Sequence, residues 1–375
     1  MPLTSDELIR LDIGVILGNQ HERGAYVASP TFSQYPFGWL RDGSFIAHAM
    51  DAVGERASAA RFHAWVAEAV DRHRSQLEGL VERGQAGEHP DEHEFLPARF
   101  ALDGKWRDDG WPAFQLDGYG QWLWSLQRHV SMAGELPPNT LEAARAVADY
   151  LLQFRLEPCY DAWEEGRTQL HTSTLASVSA GLLAAQRLLG GAYGRAADEV
   201  RRFMEAECVA RSAGDPEAAY FVKQVGSRGV DASLLWLATP FDLWPTSDPR
   251  IVATVERIES DLVSYGGVRR YAGDTFFGGG GWILLTAWLG WHFARVGRRF
   301  EAQEKLAWVD RQRTAEGHLP EQVALSDTHP VFLRYWTERW GSAASPLLWS
   351  HAMRLLLAAS LRSGEDDRQQ ADHGG

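Results

Sequence analysis

Two adjacent glutamates follow a tryptophan at Trp163, Glu164 and Glu165, shortly before a predicted helix that begins at Thr172. The apolar faces of an indole suit the C–H face of a sugar ring, and carboxyl groups suit its hydroxyls. A carboxyl group shielded from water beside an indole has a raised pKa, as a general acid requires. The stretch therefore predicts that Glu164 supplies a proton and that Glu165 binds a hydroxyl. The alternative is a pair of solvated surface glutamates.

A second carboxylate for such chemistry comes late in the chain, from Glu321 in the segment Gly317–Gln322. Hydrolysis of a glycosidic bond uses one acid that gives a proton and another that takes a proton from water. Glu321 is a lone acid beside Pro320 in a predicted loop, so plain exposure to solvent is the alternative. The functional interpretation makes Glu321 the general base.

Adjacent opposite charges mark the start of a predicted helix at Arg41 and Asp42. An arginine and a carboxylate together can clamp neighbouring hydroxyls of one sugar ring, with Tyr35 and Trp39 as walls. The alternative is that Asp42 caps the helix and that Arg41 is solvated.

A glycine-rich loop carries Arg270, which could reach a ligand hydroxyl or simply pair with Asp274. The loop lacks a lysine followed by serine or threonine, and no predicted strand precedes it, so phosphate binding is not expected. In another loop, Gln115 and Trp111 could reach the same pocket, while Asp117 is interpreted as a helix cap.

The composition limits the class of protein and its partners. The 375 residues are 45% hydrophobic and carry a net charge of −13, which argues against nucleic acid and anionic membranes as partners. Sixteen tryptophans, several in polar or glycine-rich loops, favour sugar rings as ligands, and the alternative is that many of them pack the core. Two cysteines without metal-ligand spacing predict buried free thiols, no metal site and no cofactor. The absence of a secretory signal or bilayer-spanning run favours a cytoplasmic location, and nothing indicates an oligomeric state.

Helical periodicity alternates with loops along the chain. Helices are predicted over residues 5–15, 42–53, 56–83, 117–133, 140–154, 172–189, 192–210, 229–237, 248–262, 282–296, 299–309 and 346–360. Long aromatic loops alternate with short turns, which predicts an all-α (α/α)6 barrel, a toroid of six helical hairpins with the long loops at one mouth. An open helical solenoid is the alternative. Residues 1–362 are expected to form a single domain, residues 314–345 a loop, and residues 363–375 a disordered tail.

The order of these motifs resembles glycoside hydrolase family 15, the glucoamylase family. The strongest pieces are Trp39–Asp42, Asp161–Glu165, Arg270–Tyr271 with Asp274–Thr275, and Pro320–Gln322 with Trp349–Ala352. The resemblance extends from residue 24 to residue 360. It implies an (α/α)6 barrel and an inverting, exo-acting α-glucosidase that releases β-glucose.

The resemblance also implies a role for each site residue. Glu164 is the expected general acid, Glu321 the general base, and Tyr35 the tyrosine beside the nucleophilic water. The expected substrate-binding residues are Trp39, Arg41, Asp42, Trp163, Glu165, Arg270, Phe276 and Trp282. An inverting mechanism requires the two catalytic carboxyl groups to lie about 6.5–9.5 Å apart, with room for one water between them and the sugar.

Phe276 departs from many family members, which have a second tyrosine at this place to support the first. The chain also lacks the β-sandwich and starch-binding modules of larger members. It is similar in these respects to the short bacterial isomaltose glucohydrolases of the family, which implies α-1,6-linked isomaltose or a short isomalto-oligosaccharide as substrate. The alternatives are a maltose-type glucoamylase or α,α-trehalase of the same family, and a non-catalytic sugar-binding toroid. Trp106, Trp111 and the loops around Trp336 are expected to shape the site for the second sugar.

Overall fold

The computed structural model describes residues 3–107, 109–133, 136, 139–211 and 219–373. Its α-helices are α1 (Ser5–Gly18), α2 (Leu40–Ala52), α3 (Arg56–Arg72), α4 (Arg74–Gln85), α5 (Asp117–Ala133), α6 (Thr140–Phe154), α7 (Thr172–Leu189), α8 (Tyr193–Glu207), α9 (Pro249–Leu262), α10 (Ile283–Arg295), α11 (Arg299–Asp310), α12 (Pro330–Trp340) and α13 (Leu348–His373). Short 3-10 helices cover Glu92–Glu94, Ala232–Leu237 and Phe276–Gly278.

Short strands stiffen the loops. They are β1 (Phe37–Trp39), β2 (Arg99–Ala101), β3 (Val209–Arg211), β4 (Ala219–Phe221), β5 (Val263–Ser264), β6 (Gly267–Val268), β7 (Gly281–Trp282) and β8 (Gln322–Val323). The pairs β1–β2 and β3–β4 are antiparallel, and β5, β6, β7 and β8 form one antiparallel sheet in that order. In this sheet Trp282 lies opposite Gln322, so the glycine-rich loop is held beside the segment that carries Glu321.

Six helical segments form a closed inner ring. In order around the ring, each contacting the next, they are α2, α5, α7, the 3-10 helix Ala232–Leu237, α10 and α13, and α13 returns to contact α2. Each also contacts an outer helix, which is respectively α3, α6, α8, α9, α11 and α1. Because the ring closes on itself, the fold is the predicted (α/α)6 barrel and not an open solenoid.

The inner helices are buried on nearly every face. All residues from Leu40 to Asp51 of α2 are buried, as a helix inside two layers requires. Inside the ring, Phe45 packs against Trp236, Trp288 and Trp349 with ring centroids 4.6–5.8 Å apart. The outer helices α8 and α9 each bury only one stripe.

Two inner helices, α5 and α7, touch through their backbones. A Cβ atom on Gly120 would lie 2.1 Å from the carbonyl oxygen of Ser177, and one on Gly181 would lie 2.5 Å from the Cα atom of Gly120. Only glycine fits at these two positions, because a Cβ atom at either one would clash with the backbone of the facing helix. The contact sets how closely the loops before α5 and α7 approach each other.

Some predicted boundaries were wrong. The single helix expected over residues 56–83 is interrupted at His73, which separates α3 from α4. The loop expected over residues 314–345 contains the helix α12. The last helix, expected to end at residue 360, continues to His373, and residues 374–375 lie outside the described residues. The disordered tail expected over residues 363–375 stays a prediction. The assignment of residues 1–362 to a single domain stays a prediction.

Two smaller expectations concern thiols and membranes. Cys159 and Cys208 are buried free cysteines, as predicted. In the described part of the chain, every helix is too short or too polar to traverse a bilayer.

Candidate active site

A cavity of about 350 Å³ lies at the end of the barrel where the inner helices begin, a volume within the range of ligand pockets. Its lining comes from the loops before α2, α5, α7, α10 and α13, from the first residues of α2, α10 and α13, and from α12. The sequence-predicted site residues all line this cavity: Tyr35, Trp39, Arg41, Asp42, Trp163, Glu164, Glu165, Arg270, Phe276, Trp282 and Glu321.

The backbone around Glu164 is folded tightly on Asp161. One carboxylate oxygen of Asp161, Oδ1, accepts from the amides of Trp163 and Glu165, both at 2.9 Å. The carbonyl of Asp161 accepts from the amide of Glu164, and its own amide donates to the carbonyl of Glu165. The backbone of Glu164 has a φ of 67°, in the left-handed region that residues other than glycine seldom adopt. The Asp161 contacts therefore hold the glutamate in a conformation that a free loop would leave.

The Glu164 carboxylate is partly exposed and has several donors. Trp39 Nε1 donates to Oε1 at 2.8 Å, and Gln115 Nε2 donates to the same oxygen at 3.4 Å. The Arg41 guanidinium lies 3.8 Å from it. The side chain remains 16% exposed. One oxygen is thus fixed from the α2 and α5 loops, while the carboxyl group still faces the cavity.

Glu321 has the opposite environment. It is 3% exposed, and Oε1 accepts from the Tyr35 hydroxyl at 3.1 Å. Its other oxygen, Oε2, is buried and has no hydrogen-bond partner among the described residues. Burial raises the pKa of Glu321 to about 8, although the Tyr35 hydroxyl and Arg270 act to lower it. A carboxyl oxygen without a partner beside a cavity can accept a hydrogen bond from a ligand or from water.

Arg41 and Asp42 lie in the first turn of α2 and are both buried. Arg41 donates to Gln115 at 2.7 Å and to Asp117 at 3.2 Å. Burial raises the pKa of Asp42 to about 7, with Arg41 opposing this and Glu164 adding to it. The N-cap residue of α2 is Trp39, so the alternative of Asp42 as the cap and Arg41 as a solvated group is wrong.

Arg270 pairs with Asp274 and also reaches the central loop. It donates from Nε and Nη2 to the two Asp274 oxygens at 2.8 and 2.5 Å, and from Nη2 to Glu165 Oε1 at 3.3 Å. Tyr271 donates to the other Glu165 oxygen at 2.6 Å. The Arg270 guanidinium also lies 5.3–5.5 Å from the ring centroids of Trp163, Phe276 and Trp282. The predicted alternatives, an ion pair with Asp274 or a place at the ligand pocket, therefore occur together.

Other residues complete the wall, among them Trp111 and Trp336, which were expected near the second sugar. The further lining residues are Ala28, Trp111, Pro112, Ala162, Thr275, Leu284, Trp336, Trp340, Leu347 and Trp349. Trp336 and Trp340 lie on α12, one turn apart, and the Trp336 indole donates to the Thr275 carbonyl at 3.0 Å. Pro330 at the helix start and Gly341 after its end are the sequence signals that could have predicted α12. Trp106, expected near the second sugar, packs edge-on against His73 instead.

One group of side chains in the described residues has metal-ligating types at close range. Asp51, His63 and His129 are buried, and their potential ligand atoms lie within 4.8 Å of one another. His129 Nδ1 bonds to the Asp51 carboxylate at 2.9 and 3.0 Å, and burial keeps the pKa of His63 well below its ordinary value. A hydrogen-bonded His–Asp pair beside a neutral histidine accounts for the group. It lies outside the lining of the cavity.

Comparison with protein families matches residues 13–315 to glycosyl hydrolases family 15. The chain belongs to this family. It is 41% identical to isomaltose glucohydrolase from Kribbella flavida over 95% of this chain and 92% of that enzyme. It is 24% identical to trehalase 1 from Sulfolobus acidocaldarius over 81% of this chain and 56% of that enzyme. As a family 15 member, the protein is a glycoside hydrolase, which confirms the predicted class.

Solved structures agree on the family 15 fold. A wild-type glycosidase with 41% identity matches 96% of this chain and 99% of its own, with a TM-score of 0.88. A bacterial glucoamylase complexed with acarbose, at 19% identity, matches 95% of this chain and 55% of its own with a TM-score of 0.73. The second likeness supports the barrel fold alone. Glu321 lies beyond the stretch matched to the family, within the region shared with the isomaltose glucohydrolase.

Proposed function

We propose that this family 15 enzyme is an inverting, exo-acting α-glucosidase that hydrolyses isomaltose and short isomalto-oligosaccharides and releases β-glucose. The observation that carries the proposal is that Glu164 and Glu321 line one cavity and are held by different partners, Trp39 and Tyr35. The 41% identity to an isomaltose glucohydrolase over nearly the whole of both chains supports the choice of substrate.

In this mechanism Glu164 is the general acid. The Trp39 indole occupies Oε1, so the proton is carried on the remaining oxygen and passes to the glycosidic oxygen as its bond to C1 breaks. The partial exposure of Glu164 suits this task, because the leaving sugar lies on the solvent side of the scissile bond. After departure of the sugar, Glu164 is ionised and takes a new proton from solvent.

Glu321 is the general base in the same proposal. Tyr35 orients the carboxylate through Oε1, and the unpartnered Oε2 takes a proton from the water that attacks C1 from the opposite face. The base must be ionised to act. With a pKa of about 8, only a minority of Glu321 is ionised in the free enzyme at neutral pH, and this fraction is lost as the pH falls.

The remaining lining residues fix one glucose unit. Buried Asp42 and Arg41 on one side, and Glu165 with Arg270 on another, offer acceptors and donors to ring hydroxyls. The rings of Trp163 and Trp282 lie 5.5 Å apart and cover the sugar faces. Their burial, against the partial exposure of Trp111, Trp336 and Trp340, supports a binding mode with the non-reducing glucose deepest and the leaving sugar at the rim. This arrangement suits exo action on short chains.

One assay tests both the substrate and the stereochemistry. Purified protein is incubated separately with isomaltose, maltose and trehalose, and the released glucose and its anomer are followed by proton NMR. We expect isomaltose to give the highest kcat/KM and the first product to be β-glucose. Initial α-glucose would contradict inversion. Preference for maltose or trehalose would assign one of the other family activities, and absence of cleavage would favour a sugar-binding protein. The cytoplasmic location and the independence from cofactors stay predictions from the sequence.

A further inference from the structure

A lysine lies behind the active-site wall, outside the cavity lining. Lys223 follows β4, and its side chain is 17% exposed. Its ammonium lies 3.4 Å from Asp161 Oδ2, 3.2 Å from Asp231 Oδ2, and 3.5 Å from the centroid of the Tyr271 ring. A surface lysine has water as its main partner, but this ammonium faces two buried carboxylates and an aromatic face. Each of the three partners holds a different part of the active site.

Asp161 connects Lys223 to the proposed acid. Its Oδ2 faces the ammonium, while its Oδ1 accepts from the amides of Trp163 and Glu165 on either side of Glu164. These two hydrogen bonds lie on either side of Glu164, whose φ is 67°. The ammonium contacts Oδ2 and so orients the Asp161 carboxylate, whose Oδ1 faces the two amides.

Asp231 connects Lys223 to the aromatic wall. The Trp163 indole donates to both Asp231 oxygens, at 3.1 and 2.9 Å, and Ser233 donates to Oδ1 from its amide and its hydroxyl. Asp231 thereby fixes the Trp163 ring to the start of the 3-10 helix Ala232–Leu237 of the inner ring. The ammonium is the cation nearest this carboxylate among the described ion pairs.

Tyr271 provides the third connection. Its ring lies under the ammonium, and its hydroxyl donates to Glu165 Oε2 at 2.6 Å. Removal of the ammonium would deprive the buried carboxylates of Asp161 and Asp231 of the one cation that lies within 3.4 Å of both among the described ion pairs. A buried carboxylate that loses its cation either takes up a proton or moves towards water, and both changes weaken the bonds that it accepts.

We propose that Lys223 is a positioning residue for proton transfer, which holds Glu164 in its productive conformation through Asp161 and the Trp163 ring through Asp231. This inference rests on the proposed function, since it takes Glu164 as the general acid. It concerns a residue that does not touch the substrate, so its effect is expected on the step that needs the acid more than on binding.

Two substrates with different leaving groups test the proposal. Isomaltose needs protonation of the leaving oxygen, whereas the fluoride of α-glucosyl fluoride departs with little help from an acid. In Lys223→Met, we expect kcat on isomaltose to fall by about 100-fold, as a misplaced catalytic group causes, with a smaller change in KM. On α-glucosyl fluoride we expect a loss of no more than about fivefold. Lys223→Arg keeps the charge and is expected to remain within about tenfold of the parent on isomaltose.

Lys305→Met is the matched control. Lys305 is also partly buried, but it donates to the Gly266 carbonyl, outside the cavity lining. If Lys223→Met has too low a Tm to assay, Lys223→Gln removes the charge with less loss of hydrogen bonding and carries the same expectation. The proposal is overturned if these variants keep isomaltose turnover within about threefold of Lys305→Met. It is also overturned if both substrates lose turnover equally, as general damage to the fold would cause.

Glu164→Gln separates this proposal from the proposed function. A large loss on isomaltose with retained turnover of α-glucosyl fluoride supports the acid assignment, and the Lys223 variants then decide the positioning role independently. Retained turnover of isomaltose in Glu164→Gln would overturn the acid assignment and the positioning role together.

Discussion

The two acids of the cavity are built in different ways. The Glu164 loop is constrained along its backbone by Asp161, and its carboxylate is partly exposed with donors from Trp39 and Gln115. Glu321 is nearly fully buried, has a single donor in Tyr35, and leaves one oxygen without a partner in the described residues. The surroundings of Glu164 fix the orientation of its carboxylate and leave it in contact with solvent. The surroundings of Glu321 shield its carboxylate from water. A single fold can thus give two identical side chains opposite parts in one reaction.

Glu321→Gln is expected to have the largest effect on activity, because it removes one of the two acids. The amide keeps the volume and an acceptor for Tyr35 but cannot take a proton from water. We expect kcat to fall by about 1000-fold or more, at the upper part of the range for a general base. Steady-state assays on isomaltose measure it, and Glu304→Gln, which changes an exposed glutamate, is the control. Near-normal turnover would remove Glu321 from the mechanism.

The same variant tests how strongly Glu321 is desolvated. With a folded-state pKa near 8, against an ordinary value of 4.5, the folded protein holds a proton that the unfolded chain loses between these two pH values. The free energy of unfolding therefore falls as pH rises across this window, by on the order of a few kcal/mol. Because glutamine does not titrate, the Tm of Glu321→Gln should match that of the parent below pH 4.5 and exceed it above pH 8. A Tm difference that does not change with pH would contradict the desolvation.

Arg270→Lys weakens the contact between the Glu164–Glu165 loop and the glycine-rich loop. The guanidinium donates to both Asp274 oxygens and to Glu165, and an ammonium cannot reproduce this planar arrangement. We expect kcat/KM on isomaltose to fall by about 30-fold, mostly through KM, because Glu165 is proposed to bind the sugar. Arg269→Lys changes the neighbouring arginine, which pairs with Asp327, and is the control. Equal effects of the two substitutions would argue against a specific role.

Tyr35→Phe removes the hydroxyl that donates to Glu321. Loss of the hydroxyl removes an interaction that lowers the pKa of Glu321, so that pKa rises further. The base must be ionised, and the acidic limb of kcat/KM therefore moves to higher pH, with a loss of about tenfold at neutral pH. A pH–rate profile measures the shift. An unchanged limb together with lower activity would assign Tyr35 to another step.

The smallest effect is expected at the rim. Trp336→Phe keeps an aromatic ring on α12 but removes the indole bond to the Thr275 carbonyl. Loss of a hydrogen bond that contributes about 1 kcal/mol or less corresponds to a rise of at most about fivefold in KM for isomaltose, and kcat is expected to stay unchanged. Tyr335→Phe changes the exposed neighbour on the same helix and should leave both parameters unaltered. A large fall in kcat would instead place Trp336 at the reacting bond.

Sequence patterns predicted what is local in this protein. The inner helices follow from apolar periodicity. The motifs at Arg41–Asp42, Trp163–Glu165 and Arg270 lie at the start of such helices or in the loops that precede them, so a barrel brings them to one mouth. The break at His73 was missed because Arg72 and Arg74 on either side are good helix formers.

What the sequence could not reveal are contacts between distant segments. Asp161 lies in the loop before α7, whereas Lys223 and Asp231 lie in the connection between β4 and the 3-10 helix Ala232–Leu237. No local pattern indicates that a lysine so far along the chain pairs with the aspartate that holds the Glu164 loop. Burial of Glu321 was likewise not predictable, because a lone acid beside a proline in a loop is most often exposed, whereas here β8 draws the segment inward against β7. Tertiary pairing decides both features.

The cavity wall is also an optical probe. Seven of the sixteen tryptophans lie on it: Trp39, Trp111, Trp163, Trp282, Trp336, Trp340 and Trp349. A sugar that displaces water from these indoles should alter the emission of the protein without any label. Titrating the Glu321→Gln variant with isomaltose would then report affinity in the absence of turnover, which kinetic constants of the active enzyme cannot isolate.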